Sequence, residues 1–165
     1  MESDEIEEMT ASCKKQFLQH LKKGGNPFPT GFIFSDIPDN HDDSAITIIT
    51  MPWHIESLND LEELAEHVRA CSPRQAIAAG MVFYINRHAW SSLQKEPRAT
   101  PNVNSRLDFV GVTHVEHLTN GYQTWTIDLD NMKPSPEGWK LHSSGHSTSL
   151  PNLIPHTHYG TCGQA

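Results

Sequence analysis

MVFYINRHAW, residues 81–90, is the stretch that decides the fold of this chain. Its first five residues are apolar or aromatic without alternation, which is typical of a strand buried on both faces. The stretch ends in a polar and aromatic cluster, and a polar segment that contains two prolines follows it. We therefore expect a central strand that begins between Ala76 and Met81, and a long loop from Trp90 to Ser105.

Apolar residues at spacings of three and four predict two amphipathic helices before this strand. The first stripe runs from Ile6 to Leu21, and Gly24 marks the end of the helix. The second stripe covers 58–68, and Ser57 opens it as the first residue of a capping box. Both helices should bury one face against a sheet.

β-branched and aromatic runs predict the remaining strands. Residues 31–35 and 45–51 are separated by turn-forming residues and should pair in the antiparallel sense. Residues 107–116 and 122–129 flank Asn120-Gly121, a dipeptide that suits a two-residue hairpin turn. With that turn His114 would lie opposite Ile127 and Glu116 opposite Trp125, so that all four side chains share one face.

The resulting fold class is α+β, in the order α-β-β-α-β-β-β, with a mostly antiparallel five-stranded sheet and two helices on one face. Residues 1–130 form this single domain. Residues 131–165 are rich in Pro, Ser, His and Gly, and we expect them to form an irregular tail. The order of elements is similar to that of the profilin and roadblock type of module.

The central strand and the following loop also resemble a group of small uncharacterised bacterial and phage α/β proteins. In that group an apolar strand ends in an acid-Ala-Trp triplet, and a proline-containing loop leads to an arginine that opens the next strand. Here residues 82–85, His88-Ala89-Trp90 and Arg106 match that pattern over about a quarter of the chain, with His88 in place of the acid. The resemblance implies a phage- or mobile-element-like accessory protein and supplies no mechanism.

Charge is distributed unevenly along the chain. The net charge is −8, and residues 1–66 hold fourteen acidic residues against four lysines. Such an acidic half disfavours direct binding to nucleic acid or to an anionic membrane and suits a basic protein partner. The three cysteines are far apart, no stretch is long and apolar enough for a membrane span, and residues 1–9 are acidic where a signal peptide would be basic and then apolar. We therefore expect a cytoplasmic protein.

Two groups of side chains are candidates for binding or chemistry. His88, Trp90 and Arg106 flank one predicted loop and could hold an anion or a carboxylate, although packing of Trp90 alone would also explain them. His114 and Glu116 could act as a general base and its orienting carboxylate, or could belong to a half-exposed hairpin edge. No catalytic residue can be assigned.

The tail contains five side chains that zinc accepts as ligands. Their spacing matches no zinc finger or protease pattern, so a zinc site there is an alternative to a metal-free tail, and no other cofactor is expected. These residues are His142, His146, His156, His158 and Cys162.

The chain has no nucleotide-binding, serine-hydrolase or zinc-protease motif, which favours a binding protein over an enzyme. We expect a small acidic regulatory protein that acts through protein–protein interaction, as a homodimer or within a complex. One alternative is a metal-dependent hydrolase that uses the hairpin or tail histidines. Another is an acidic mimic of nucleic acid that inhibits a host defence protein.

Overall fold

The structure is a computed structural model, and it describes residues 2–36, 44–71, 76–94, 108–118, 121–146, 150–151 and 153–154. Arg106, His156, His158 and Cys162 lie outside these ranges. Within them the chain forms three helices and seven strands. In chain order these are α1 Glu2–Lys22, β1 Thr30–Asp36, β2 Ser44–Thr50, α2 Leu58–Cys71, β3 Ala76–Asn86, α3 Arg87–Gln94, β4 Asp108–His117, β5 Gly121–Asp130, β6 Lys133–Pro134 and β7 Lys140–Gly145.

All seven strands belong to one antiparallel sheet. Its order is β2-β1-β3-β4-β5, and both β6 and β7 pair with β5. The expected α+β class, the antiparallel β1–β2 pair and the central place of β3 are confirmed. The expected count of five strands is wrong, because two more strands follow Asp130 in the stretch that was expected to be irregular.

The helices cover opposite faces of the sheet, and the expectation of two helices on one face is therefore wrong. Phe32, Val82 and Ile127 pack with α1, and we call this side the α1 face. Ile33 and Phe83 point the other way and pack with α2, which defines the α2 face. The unbroken apolar run of β3 accounts for this arrangement, because a strand that is apolar on both faces needs cover on both.

Both helix ends that the sequence predicts are confirmed. Gly24 follows α1 at a φ of 83°, and the N–H of Gly25 donates to the carbonyl of His20 at 3.0 Å. At the start of α2 the N–H of Asp60 donates to Oγ of Ser57 at 3.3 Å. These local bonds satisfy backbone groups that a helix end would otherwise leave unpaired.

The expected loop after Trp90 is wrong in its first part, because Arg87–Gln94 forms α3. Asn86, the last residue of β3, caps this helix: its side-chain Oδ1 accepts the N–H of His88 at 2.8 Å and that of Ala89 at 3.4 Å. Asparagine is among the residues that best satisfy the first N–H groups of a helix. The polypeptide therefore passes directly from the central strand into a helix.

The β4–β5 hairpin forms as expected, but its register differs. His117 pairs with Gly121 and His114 with Thr124, so that Glu116 lies opposite Tyr122 instead of Trp125. The observed register differs from the expected one by an odd number of residues. Each side chain of β5 therefore lies on the opposite face from the one expected relative to His114 and Glu116. Ile127 and Leu129 come to lie under α1, and His114 and Glu116 lie on the α2 face.

The segment after β7 completes the core of the α2 face. Leu150 is 4% exposed, and Leu153 and Ile154 are fully buried. They join the cluster formed by α2, β3 and Trp90. α2 and this short C-terminal segment thus both contribute to the cover of the α2 face.

Candidate functional site

The outer edge of β2 is the clearest unprotected surface of the sheet. Within the described residues β2 pairs with β1 alone. Ile46 and Ile48 point to the α1 face but lie beyond the cover of α1, and they are 46% and 56% exposed. The strand SAITIIT has no charged residue and no proline. Natural proteins usually guard an edge with such residues or with a bulge, because its unpaired backbone groups can pair with another chain.

The opposite edge of the sheet carries several of these protective features. β7 includes Lys140 and ends at Gly145, and its pairing with β5 shifts register between Thr124 and Trp125. A charged side chain and a register irregularity both disfavour the addition of a further strand. The contrast between the two edges singles out β2 as the edge that is available for pairing.

A groove of about 270 Å³ opens beside β2, between α1 and the first two strands. Its lining is mainly apolar, and burial raises the pKa of the Cys13 thiol to about 11, so that this thiol stays protonated near neutral pH. The geometry fits an apolar side chain better than nucleophilic chemistry. The lining residues are Cys13, Gln16, Phe17, His20, Pro27, Phe28, Thr30, Ile48, Thr50 and Val82.

A row of four rings extends from the groove along the sheet. His54 stacks on Phe28 at 4.6 Å between ring centroids and contacts Tyr84 at 5.4 Å, and the rings of Tyr84 and Phe109 pack perpendicular to each other at 5.5 Å. Burial, and to a smaller extent the charge of Glu56, raises the pKa of Tyr84. The phenol therefore stays neutral, and the row serves as an aromatic wall rather than as an acid–base pair.

The residues of the predicted anion site do not form one group within the described chain. Trp90 is buried on α3, and its ring lies 5.4 Å from that of His142. His88 is half-buried, and its Nδ1 makes no hydrogen bond within the described residues. Arg106 lies outside these residues. Trp90 thus occupies a core position, which is the packing alternative that the sequence left open.

His114 and Glu116 share one face of β4 as expected, but this is the α2 face, whereas Trp125 and Ile127 lie on the α1 face. Both residues are buried, so the alternative of a half-exposed hairpin edge is wrong. Nδ1 of His114 shares a hydrogen bond of 2.8 Å with Oγ1 of Thr124, and its Nε2 lies 3.7 Å from Oε2 of Glu116. The other carboxylate oxygen, Oε1, accepts the N–H of Leu153 at 3.0 Å and that of Ile154 at 3.2 Å. In this geometry Glu116 binds the C-terminal segment, and that segment covers the pair.

The tail metal ligands are only partly described. His142 lies beside Trp90 and His146 is exposed, whereas the other three fall outside the described ranges. Among the residues that the structure describes, no group of three His, Cys, Asp or Glu side chains is arranged to hold a metal ion. The zinc site stays a prediction.

Sequence reasoning missed two cationic side chains that the fold places beside aromatic or buried groups. Arg87 donates to Oδ1 of Asp128 at 3.0 Å and to the carbonyl of Phe109 at 3.1 Å. Nζ of Lys14 lies 3.7 Å from the ring centroid of Trp125. Both contacts join distant parts of the chain, so no local spacing could have indicated them.

Comparisons with protein-family models, with curated proteins and with solved structures give no match. The assignment of a function therefore depends on the geometry of this chain. No helix within the described ranges is long and apolar enough to cross a membrane.

Proposed function

We propose that this protein acts by protein–protein interaction and that it assembles with a second copy of itself through β2. The observation that carries the proposal is the contrast between an uncharged, apolar β2 edge and a charged, irregular β7 edge. Antiparallel addition of a strand supplies main-chain hydrogen bonds for affinity, and alternate side chains supply specificity. The two copies would share one continuous sheet.

The sequence of β2 is suited to pairing with itself. A two-fold axis at Thr47 places Ile46 of one copy opposite Ile48 of the other, and the reverse pair follows by symmetry. Both isoleucines are exposed on the α1 face, so that the dimer would bury four of them in one patch. Cross-strand pairs of β-branched residues are a favourable arrangement in antiparallel sheets.

The distribution of charge favours association of two copies through β2 over association through other parts of the surface. The chain carries a net charge of −8, so that two copies repel each other at most orientations. β2 has no charged residue. Approach along β2 therefore buries no carboxylate of that strand, whereas contact through α1 would bring acidic residues together.

The test is the oligomeric state of the full chain and of an Ile48→Lys variant by analytical ultracentrifugation. We expect a dimer for the natural chain at micromolar concentration and a monomer for the variant, because two lysines would face apolar neighbours across the axis. Leu58→Lys is the control variant, because Leu58 is 45% exposed at the start of α2, and α2 packs on the opposite face of the sheet from Ile48.

A monomeric natural chain would contradict the proposal, and so would a dimer that survives Ile48→Lys. The predictions of a metal-dependent hydrolase, of a nucleic-acid mimic and of a phage-like accessory role have no support from the described geometry beyond the sequence features that suggested them. The dimer would present two copies of the groove beside β2, one on each side of the axis, as sites for a further partner.

A further inference from the structure

The groove beside β2 adjoins a second, polar cleft at the end of α1. On the side of α1 the groove extends from Cys13 to His20, which is two helical turns or about 10 Å along the axis. Gln16 and His20 line both the groove and the cleft. The other residues of the cleft are Gln19, Lys23 and Gly25. The two cavities together have an apolar body and a polar end.

The imidazole of His20 lies at the junction of the two cavities. Its ring occupies the space that a side chain at Gly25 would take. The N–H of Gly25 also donates to the carbonyl of His20 at 3.0 Å, so that the turn after α1 holds the two residues together. His20 is exposed, and its ring can therefore donate a hydrogen bond to a ligand at this end of the groove.

The charge around the polar end is opposite in sign to that of the whole chain. The net charge is −8, but residues 9–35 contain four lysines and no acidic residue. Among the described residues, none with a carboxylate lines either cavity. The last carbonyls of a helix disfavour an anion, but those of Gln19, His20 and Leu21 already accept backbone N–H groups of the following turn. The polar end therefore suits an anion rather than a cation.

We propose that the groove and the cleft form a binding site for a free aliphatic carboxylate with a chain of about eight carbons. The groove of about 270 Å³ has room for about nine groups of the size of a water molecule, which accommodates the carbons of such a chain. The chain lies between Phe17 and Ile48. The carboxylate lies in the cleft and accepts hydrogen bonds from Lys23 and from the amides of Gln16 and Gln19.

This site is separate from the pairing of β2 with a second copy. Every residue that lines the two cavities belongs to one chain. We therefore expect one ligand per chain in the monomer and in the dimer. A mainly apolar cavity with a few polar groups at one end is also the usual form of a site for a small amphipathic molecule.

The first test is calorimetric titration of the full chain with hexanoate, octanoate and dodecanoate at about pH 7.5. We expect one octanoate per chain and an affinity that rises about fourfold for each methylene between hexanoate and octanoate. Beyond octanoate the gain should fall below about twofold for each methylene, because the groove is then full. No saturable binding of octanoate, or an equally steep rise up to dodecanoate, would overturn the proposal.

A Thr50→Phe variant tests whether the chain lies in the groove. Thr50 is paired with Thr30, and both residues line the groove, so that the phenyl ring would occupy the space of the ligand. Octanoate should bind this variant at least about tenfold more weakly. Thr47→Phe is the matched control, because Thr47 lies on the same strand, is paired with Ile33 and shares its α2 face. Equal binding by the two folded variants, as verified by circular dichroism, would overturn the proposal.

A Lys23→Glu variant tests the position of the carboxylate. It should weaken the binding of octanoate at least about threefold and leave the binding of the uncharged 1-octanol unchanged. Lys15→Glu is the control, because it changes the net charge equally and Lys15 lines neither cavity. Equal effects of the two variants on octanoate, or an equal loss of octanoate and 1-octanol binding in Lys23→Glu, would overturn the placement of the carboxylate in the cleft.

Discussion

Glu116 is an acidic residue that the fold places in the interior, 6% exposed, where one of its side-chain oxygens accepts two successive N–H groups. Glu116→Ala should lower the free energy of unfolding by about 2–3 kcal/mol, because both N–H groups lose their acceptor while buried. Hydrogen exchange should accelerate at Leu153 and Ile154 and stay slow in β3. The measurements are urea unfolding and amide exchange by mass spectrometry.

Glu116→Gln is the matched control, since its amide oxygen retains an acceptor in the same place. It should lose less stability than Glu116→Ala and keep Leu153 and Ile154 protected. If both variants exchange these two amides as slowly as the natural chain, the carboxylate does not hold the C-terminal segment. The interpretation of Glu116 as the anchor of that segment would then be wrong.

His117 gives the stability of the protein a dependence on pH. Burial lowers its pKa, and the charge of Glu7 only partly opposes this effect. The unfolded chain therefore takes up this proton at a higher pH than the folded chain does. The stabilising contribution is present above about pH 6.5 and is lost as the pH falls through the lower pKa of the folded state.

Thermal unfolding of the natural chain and of His117→Gln at about pH 7.5 and 5.5 measures this contribution. We expect the natural chain to lose more stability on acidification than the variant does, because glutamine takes up no proton. Other titrating groups affect both proteins alike. An equal loss in the two proteins would refute the role of His117.

At the scale of elements, α3 depends on Asn86, the capping residue that directly precedes it. Asn86→Ala should destabilise the protein by about 1 kcal/mol, because the N–H groups of His88 and Ala89 lose the side-chain oxygen that accepts them. Asn86→Asp keeps an oxygen there and should cost less. Chemical unfolding gives the stabilities of the natural chain and of both variants. Equal stabilities for Asn86→Ala and Asn86→Asp would show that the cap contributes nothing.

The helices and strands also show which parts of the fold the sequence patterns could predict. The apolar run of β3 and the caps of α1 and α2 are local signals, and the structure confirms them. Asn86 is also a local helix-start signal, but the prolines further on led to the prediction of a loop. The predicted register of the β4–β5 hairpin was wrong. Asn120-Gly121 favours a two-residue turn, whereas burial of Ile127 and Leu129 under α1 requires a different register.

The candidate sites were harder to predict because their contacts join distant residues. Glu116 binds backbone groups that follow it by 37 and 38 residues, and Lys14 on α1 contacts Trp125 on β5. Neither contact joins residues at the spacing of a helix or a strand, so no periodic sequence pattern could have predicted it. The residue type of Glu116 indicated a functional role, but it suggested catalysis. In the structure Glu116 instead binds the C-terminal segment.

At the scale of the whole molecule, the sheet has two unlike edges. β7 carries a charge and a register shift, and β2 carries two exposed isoleucines on an uncharged strand. A monomer would gain nothing from leaving β2 unguarded, because an apolar edge promotes indiscriminate association. Pairing with a second copy, as we propose, would cover that edge, and the uncharged, β-branched sequence of β2 suits such pairing.

The most direct test is disulfide crosslinking at the proposed two-fold axis, with Thr47→Cys compared with Thr50→Cys. In the proposed register Thr47 lies opposite itself, at the Cα distance of about 4.5–5.5 Å that a disulfide accepts, whereas Thr50 lies opposite Ser44. We predict that mild oxidation converts Thr47→Cys into a covalent dimer and leaves Thr50→Cys and the natural chain uncrosslinked. A Thr47→Cys protein that stays monomeric, or equal crosslinking of both variants, would contradict the assembly of this protein through β2.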